Sequence, residues 1–381
     1  MSFLGDWLTT VATMEIARQL SDSSLAVAGI LVAKTLPIFL VAPWAGPLAD
    51  RVDRRWLLVG TDLLRVVLVL VMTAFTIAGS FGGMLVALTI RTAVGGVFIP
   101  ARTAAIPDLA AERELPVAMA LNAGTWSVML AVGAALGGVI TQQLGVVGAL
   151  GVDALTFLVS AAFLWFLPPL PPREEGTATP DTTFREGLRY LRGRVYLTVL
   201  LCQKGMLALS GAALVILPIY AGGAYAGYVG PLWLGVLYAS RGVGSALGSM
   251  GMRKLVGDST EHMQRALVPA YAVLVVAHLG MAFAPSFPLA AAAIALAMVG
   301  MGMIWTFSGT LAQYATERHV RGRLFSLEFG LSMLGTTVVS LVTGAALDAG
   351  FTLRAVVCVV AAVLLAPLAL WAAVLRWAPD A

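Results

Sequence analysis

Long apolar runs alternate with short polar or glycine- and proline-rich breaks along almost the whole chain. A helix of about 20 apolar residues is long enough to cross the hydrocarbon core of a bilayer. The pattern predicts twelve such spans, at residues 2–19, 24–48, 57–79, 82–101, 116–142, 146–168, 196–220, 229–251, 265–284, 287–311, 324–346 and 352–375. The sequence therefore predicts an all-α polytopic membrane protein with 12 transmembrane helices.

Composition agrees with this class. Of the 381 residues, 59% are hydrophobic and 12% are charged, whereas soluble domains carry about 25% charged residues. So few charges cannot cover a soluble surface, which excludes an ordinary cytosolic enzyme, a nucleic-acid binder and a disordered chain. The two cysteines, Cys202 and Cys358, both lie in apolar stretches and do not support a disulfide framework.

The longest polar stretch, residues 169–195, lies near the middle of the chain. We interpret it as a cytoplasmic linker with a surface helix, between an N-terminal six-helix half at 1–168 and a C-terminal half at 196–381. Two weak internal similarities indicate pseudo-symmetric halves, because residues 45–51 align with 247–253 and residues 121–124 align with 327–330.

The basic residues predict the orientation. With the N-terminus inside, 17 of the 24 Lys and Arg fall in cytoplasmic segments and two fall at outer ends. Cytoplasmic segments retain Lys and Arg, so both termini are predicted to be cytoplasmic. The same rule accounts for the net charge of +4 without a nucleic-acid partner.

The most densely charged membrane edge is the predicted loop between spans 2 and 3, at residues 46–55. A glycine there permits close helix approach, and an aspartate can face the positive N-terminus of a neighbouring helix. The arginines can bridge to a carboxylate on the next cytoplasmic loop. We interpret the cluster as a conformational latch, and the alternative is a plain positively charged loop. Its candidate residues are Gly46, Asp50, Arg51, Arg54, Arg55 and, on the next loop, Asp108.

The segment Gly46-Pro47-Leu48-Ala49-Asp50-Arg51-Val52-Asp53-Arg54-Arg55 resembles the loop signature of the major facilitator superfamily, with Asp53 where the family usually has Gly. Other stretches are similar to the branch of macrolide-efflux proteins and the enterobactin exporter, namely 5–7, 100–108 and 321–325 with Glu328. The resemblance covers both halves. It implies the major facilitator fold, drug:proton antiport and a bacterial inner membrane location.

Charges inside the spans are candidates for proton coupling. Arg91 costs about 2.5–3.5 kcal/mol at the bilayer centre, so it should face the interior and have a partner. The resemblance links an Arg at this place in span 4, followed four residues later by Gly95, to proton transfer; the alternative is an interhelical anchor. Asp6 and Glu15 lie nine residues apart on span 1, on opposite sides of the helix, so only one can face a cavity. Lys34 can neutralise that carboxylate, and a permanent ion pair is the alternative.

Three further assignments complete the candidate sites. Asp62 and Arg65 lie close to the cytoplasmic edge and are assigned to the loop cluster, and His278 is assigned to packing. Glycines in span 5 resemble a pattern of exporters, with ordinary close packing as the alternative. These glycines are Gly124, Gly133, Gly137 and Gly138.

The leading hypothesis is a proton-coupled exporter of amphipathic or hydrophobic small molecules that works by alternating access. Candidates for its substrate cavity are Trp126, Lys204, Arg241, Trp305 and Glu328. The alternative is a narrow-substrate carrier of a siderophore, lipid or metabolite, in which Lys204 or Arg241 would receive an anion. Partners are then a small-molecule substrate, protons and the lipid bilayer, with no nucleic acid, and the protein is expected to be a monomer.

An enzyme is not expected. The chain has three histidines and lacks the common motifs for a nucleophile with its base, for a metal cluster or for a phosphate-binding loop. We therefore expect no cofactor and no metal.

Overall fold

The computed structural model describes residues 2–21, 23–109, 111, 114–172, 189–257 and 259–377. Within these ranges the backbone is helical almost throughout and no residue lies in a strand, which confirms the all-α prediction. The helices are α1 (Ser2–Leu20), α2 (Ser24–Arg51), α3 (Arg54–Ile77), α4 (Phe81–Leu109), α5 (Leu115–Trp165), α6 (Val195–Leu207), α7 (Ala212–Ile219), α8 (Pro231–Ala246), α9 (Met252–Val256), α10 (Thr260–Phe283), α11 (Phe287–Ala315), α12 (Arg318–Asp348), α13 (Leu353–Val363) and α14 (Leu365–Trp377).

Each of the twelve predicted spans lies largely on helical backbone, although only nine helical stretches of the described residues are long and apolar enough to cross a membrane. Helix α5 accounts for part of the difference, because it contains two predicted spans on either side of Gly145, whose φ of 70° interrupts the helix. Helix α8 passes into a π-helical turn at Leu247–Gly251, and α1 carries Asp6 and Glu15 among its apolar residues.

The connection between α2 and α3 is shorter than the predicted loop. Helix α2 continues to Arg51 and α3 begins at Arg54, so only Val52 and Asp53 lie outside helix. The Asp53 carboxylate accepts a hydrogen bond from the backbone N–H of Arg55 at 2.9 Å. Asp53 therefore caps α3, which gives a structural reason for aspartate at the position where the family signature has glycine.

The chain forms two compact units. The first comprises Met1–Thr177 and Leu217–Ala239, and the second comprises Ala178–Ile216 and Ser240–Ala381. In the first unit, α1 packs against α5 at Gly133 and Gly137 of α5. A Cβ at Gly137 would lie 2.8 Å from the Cα of Leu8, closer than side chains normally approach. The predicted boundaries at residues 168 and 196 stay a prediction.

The second unit has an apolar core in which Trp371 is fully buried, and the Trp371 indole N–H donates to the carbonyl of Gln264 at 2.9 Å. Three polar pairs also connect the segment 195–211 to α10, at a constant spacing of seven residues along both. We call these pairs the polar ladder. They are Gln264 to Tyr196 (2.8 Å), Tyr271 to Gln203 (2.5 Å) and Ser210 with His278 (3.0 Å).

The hydrogen bonds of His278, the last residue of the polar ladder, define which of its ring nitrogens carries the proton. Its Nδ1 lies 2.8 Å from the carbonyl oxygen of Leu274, which can only accept, so Nδ1 carries a proton. In the neutral ring, Nε2 then accepts from the Ser210 hydroxyl. His278 is thus buried and fully hydrogen-bonded, in keeping with its assignment to packing.

We predict that Gly137→Ala destabilises the protein, because its methyl group would overlap the backbone of Leu8. Overpacking of this kind costs about 1–3 kcal/mol. The measurement is the thermal unfolding midpoint of the purified chain in detergent. Gly151→Ala is the matched control, since Gly151 lies on the same helix with no atom near its virtual Cβ. Equal midpoints for the two variants would contradict close packing at Gly137.

Candidate functional site

One buried guanidinium joins three helices of the first unit. Arg91 of α4 is 3% exposed, and its Nη2 lies 2.8 Å from Asp6 Oδ1 on α1. The same nitrogen lies 3.0 Å from Asp153 Oδ2 on the second part of α5. Arg91 therefore has the interior position and the partner that its burial requires, and it has two partners rather than one.

Asp153 was missed by the sequence argument. It is fully buried and stands alone as a charge within the apolar residues 146–164. That isolation was the available signal, because a carboxylate inside a span must be neutralised by a partner. The prediction considered the charges of spans 1 to 4, 7, 8 and 11 and overlooked the one in span 6.

Asp6 and Glu15 have different surroundings, as their spacing on the helix suggests. Lys34 of α2 donates to the backbone carbonyl of Asp6 at 3.3 Å and to the hydroxyl of Thr10. Glu15 Oε1 instead forms an ion pair with Arg18 Nη2 of the same helix, at a distance of 2.6 Å. Asp6 thus lies beside Arg91 and Lys34, whereas Glu15 is paired locally.

The assignment of Arg65 to the loop cluster is wrong, and Asp62 pairs with Arg65 at 3.5 Å. The Arg65 guanidinium reaches inward to 5.3 Å from the Phe157 ring, the ring over which Arg91 also lies, at 5.1 Å. Its Nη2 occupies the space where a Cβ of Gly95 would be, which gives a reason for glycine four residues after Arg91. Proximity to the membrane edge was misleading because an arginine side chain spans more than one helical turn.

Six charged side chains of α1 to α5 form what we call the interior charge cluster. Each member is close enough to interact electrostatically with other members. The cluster balances three acidic with three basic groups, so it is neutral when all six are ionised. Its members are Asp6 (α1), Lys34 (α2), Asp62 and Arg65 (α3), Arg91 (α4) and Asp153 (α5).

At the predicted cytoplasmic edge, Arg54 bridges to the next predicted loop. Its Nη1 lies 2.5 Å from Asp108 Oδ2, and the Arg54 side chain is only 1% exposed. Arg55 donates to the backbone carbonyl of Trp165 at 2.5 Å, while Arg51 is exposed. The surroundings of Gly46 and the side chain of Asp50, which were also proposed for the latch, lie outside what the structure describes.

The span-5 glycines contact two different helices. Gly133 and Gly137 face α1, where a Cβ at Gly133 would lie 2.9 Å from the carbonyl oxygen of Leu4. Gly138 instead faces α8, and its virtual Cβ lies 3.0 Å from the Cα of Gly235. The local surroundings of Gly124 lie outside the described residues.

In the second unit, a buried ion pair joins two of the predicted cavity residues. Lys204 Nζ lies 2.9 Å from Glu328 Oε2, and the Glu328 side chain is 1% exposed. The ammonium also lies 4.8 Å from the ring centroid of Trp305, and Gly309 leaves room for it. The structure thus brings Lys204, Trp305 and Glu328 together and neutralises the charge of Lys204.

The other two cavity candidates lie elsewhere. Arg241 is a buried residue of α8. Trp126 packs edge-on against Trp7 with ring centroids 5.8 Å apart, and it is 40% exposed. Across the described ranges, no three His, Cys, Asp or Glu side chains are grouped as a metal site would require.

Buried ion pairs between apolar helices are a usual mark of a functional site in a membrane protein. The chain belongs to the family described as transmembrane secretion effector, a family of major facilitator transporters, whose model matches residues 1–379. It is therefore a multi-pass membrane transporter and not an enzyme.

Curated relatives include two bacterial transporters. BacE of Bacillus subtilis (strain 168), provisionally named a bacilysin exporter, is 26% identical over 331 residues, which are 86% of this chain and 81% of BacE. Multidrug efflux pump Tap of Mycolicibacterium fortuitum is 25% identical over 359 residues, 87% of this chain and 84% of Tap. Relatives of this transporter thus carry names of exporters.

A solved structure confirms the fold. The bacterial homolog of the human lysosomal transporter Spinster, in an inward-facing and occupied conformation, superposes with a TM-score of 0.75 at 14% identity. The match covers 98% of this chain and 94% of that chain. The predicted major facilitator fold is therefore correct.

We predict that breaking the Lys204–Glu328 pair is costly and that removing both charges is not. Lys204→Met or Glu328→Gln alone leaves one buried charge, at a cost of about 3–5 kcal/mol, whereas the double variant leaves none. Thermal unfolding midpoints of the two single variants and the double variant measure the coupling.

Glu261→Gln is the matched control for that cycle. It breaks the Arg265–Glu261 pair, whose side chains are 71% and 59% exposed, so a loss of about 0–1 kcal/mol is expected. If Glu328→Gln were as mild as Glu261→Gln, the buried pair would have no structural importance.

Proposed function

We propose that the transporter exports amphipathic or hydrophobic small molecules in exchange for protons, by alternating access in a bacterial inner membrane. The observation that carries the proposal is the ion pair between Asp6 and Arg91, of which Asp6 is 36% exposed and Arg91 is 3% exposed. The names of the relatives BacE and Tap support export as the direction.

Protonation of Asp6 would provide the coupling. A proton on this carboxylate removes its charge and its attraction to Arg91, so α1 and α4 lose one electrostatic contact. Loss of the proton restores the contact. A contact that exists in one protonation state and not in the other biases a two-state equilibrium, which alternating access requires.

We propose that the Arg54–Asp108 pair acts as a latch between α3 and the end of α4. Arg54 is almost fully buried, whereas Asp108 is 33% exposed, so the carboxylate can separate from the arginine more easily than the arginine can move. We also propose that both termini are cytoplasmic and that this pair lies on the inner side, which the distribution of basic residues supports. We expect the protein to act as a monomer.

The alternative is a narrow-substrate carrier of a siderophore, lipid or metabolite. A narrow-substrate carrier would differ from a broad exporter by a cation in its cavity, such as Lys204, that binds an anion. Because Glu328 already neutralises Lys204, that cation gives no support to a narrow anion carrier. The name of the relative Tap, a multidrug efflux pump, also supports broad export of amphipathic molecules, which is our preferred proposal.

We predict that Asp6→Asn abolishes ethidium efflux driven by the proton gradient, whereas Glu15→Gln retains it. Asp6 forms an ion pair with Arg91 of another helix, whereas Glu15 is paired with Arg18 of its own helix. The measurement is loss of ethidium fluorescence from loaded cells, with and without a protonophore.

Membrane abundance and unfolding midpoint of both variants serve as controls. Asp6→Asn should remain folded and should match the wild type treated with protonophore. Wild-type efflux that persists without a gradient, or an active Asp6→Asn, would remove Asp6 from the coupling step.

A further inference from the structure

We propose that Asp153 is the resident counter-ion of Arg91, which holds the guanidinium while Asp6 alone gains and loses the proton. This inference rests on the proposed function, which it deepens by adding a positioning residue to the coupling site. Both carboxylates contact Arg91 Nη2, at 2.8 Å for Asp6 and 3.0 Å for Asp153.

Exposure separates the roles of the two carboxylates. The Asp6 side chain is 36% exposed, and Asp153 is 0% exposed. Asp6 is therefore the accessible carboxylate of the two, while Asp153 is shielded by protein. If Asp153 were absent, release of Asp6 would leave the buried charge of Arg91 without its nearest carboxylates, which is costly. Asp153 lowers that cost and so permits the exchange.

The helix that carries Asp6 is also shaped around Asp153. A Cβ at Gly5 would overlap Asp153 Oδ1 and Thr156 Oγ1. The dipeptide Gly5-Asp6 therefore has two tasks, since the glycine leaves space for the resident carboxylate and the aspartate provides the exchanging one. Any larger residue at position 5 would push α1 away from Asp153.

The proton step is balanced within the interior charge cluster. A hydronium ion gives its proton to the Asp6 carboxylate, which forms an O–H bond and leaves one water molecule. Arg91 keeps its contact with Asp153 Oδ2. The other charged groups that surround the pair from the packed helices are Lys34 on α2 and Asp62 and Arg65 on α3. None of them is required to change its protonation.

The test is an infrared pH titration of carboxyl groups in the purified full chain, followed by ethidium efflux in everted vesicles over the same pH range. Without Asp153, Arg91 interacts with Asp6 alone and stabilises its anion more strongly. In Asp153→Asn, the midpoint of the Asp6 titration should move toward acid by about one pH unit or more. Efflux should shift in the same direction. Asp153→Glu, which keeps the charge, should restore most of the wild-type profile.

Asp62→Asn is the matched control, because it removes a fully buried carboxylate of the same cluster that pairs with Arg65 at 3.5 Å. It should shift the Asp6 titration less than Asp153→Asn. Equal shifts would show that only the total charge of the cluster matters, and they would overturn the proposal. An unchanged titration in Asp153→Asn would do the same.

Asp6→Asn provides a second measurement that needs no Asp153 variant to fold. In this variant the infrared titration should lose its Asp6 band and show no other carboxyl of the cluster. A band that remained near neutral pH would mean that Asp153 also exchanges protons, which contradicts a resident counter-ion. Failure of the proposed function is a separate result, because ethidium would then fail to move in the wild type while the infrared titration still reports on Asp153.

Discussion

The guanidinium of Arg91 has a permanent positive charge that is buried inside the first unit and must be neutralised there. Helices α1 and α5 each bring a carboxylate to the same nitrogen. In a medium of low dielectric constant such contacts are strong, and a missing partner is expensive. Arg91 therefore helps to fix the relative placement of three helices.

Glycines make these contacts possible, since charged groups meet only where backbones or side chains leave space. Gly5 leaves room for Asp153, and Gly95 leaves room for Arg65. In the second unit, Gly309 does the same for Lys204. Association of helices in lipid has little hydrophobic driving force, so close approach and polar contacts supply the specificity. The glycines thus set where each charge can be placed.

Much of the fold could be predicted because apolar runs report directly on transmembrane helices. The link from Arg54 to Asp108 was also accessible, because both residues flank the same membrane edge. Other features depend on tertiary structure. Lys204 and Glu328 are 124 residues apart, and nothing local to either one identifies the other as its partner. Arg65 was placed at the edge because its Cα lies near it, whereas the guanidinium reaches the interior.

The polar ladder has a consequence for how the sequence of the second unit can change. Its three pairs keep an offset of 68 residues along both segments, so they encode a single alignment of one helix beside the other. Inserting one residue between Tyr196 and Ser210, or between Gln264 and His278, would rotate the later pairs by about 100° and separate them. Point substitutions can be compensated pair by pair, but changes in length cannot. Length variation among homologues should therefore be confined to segments outside the polar ladder.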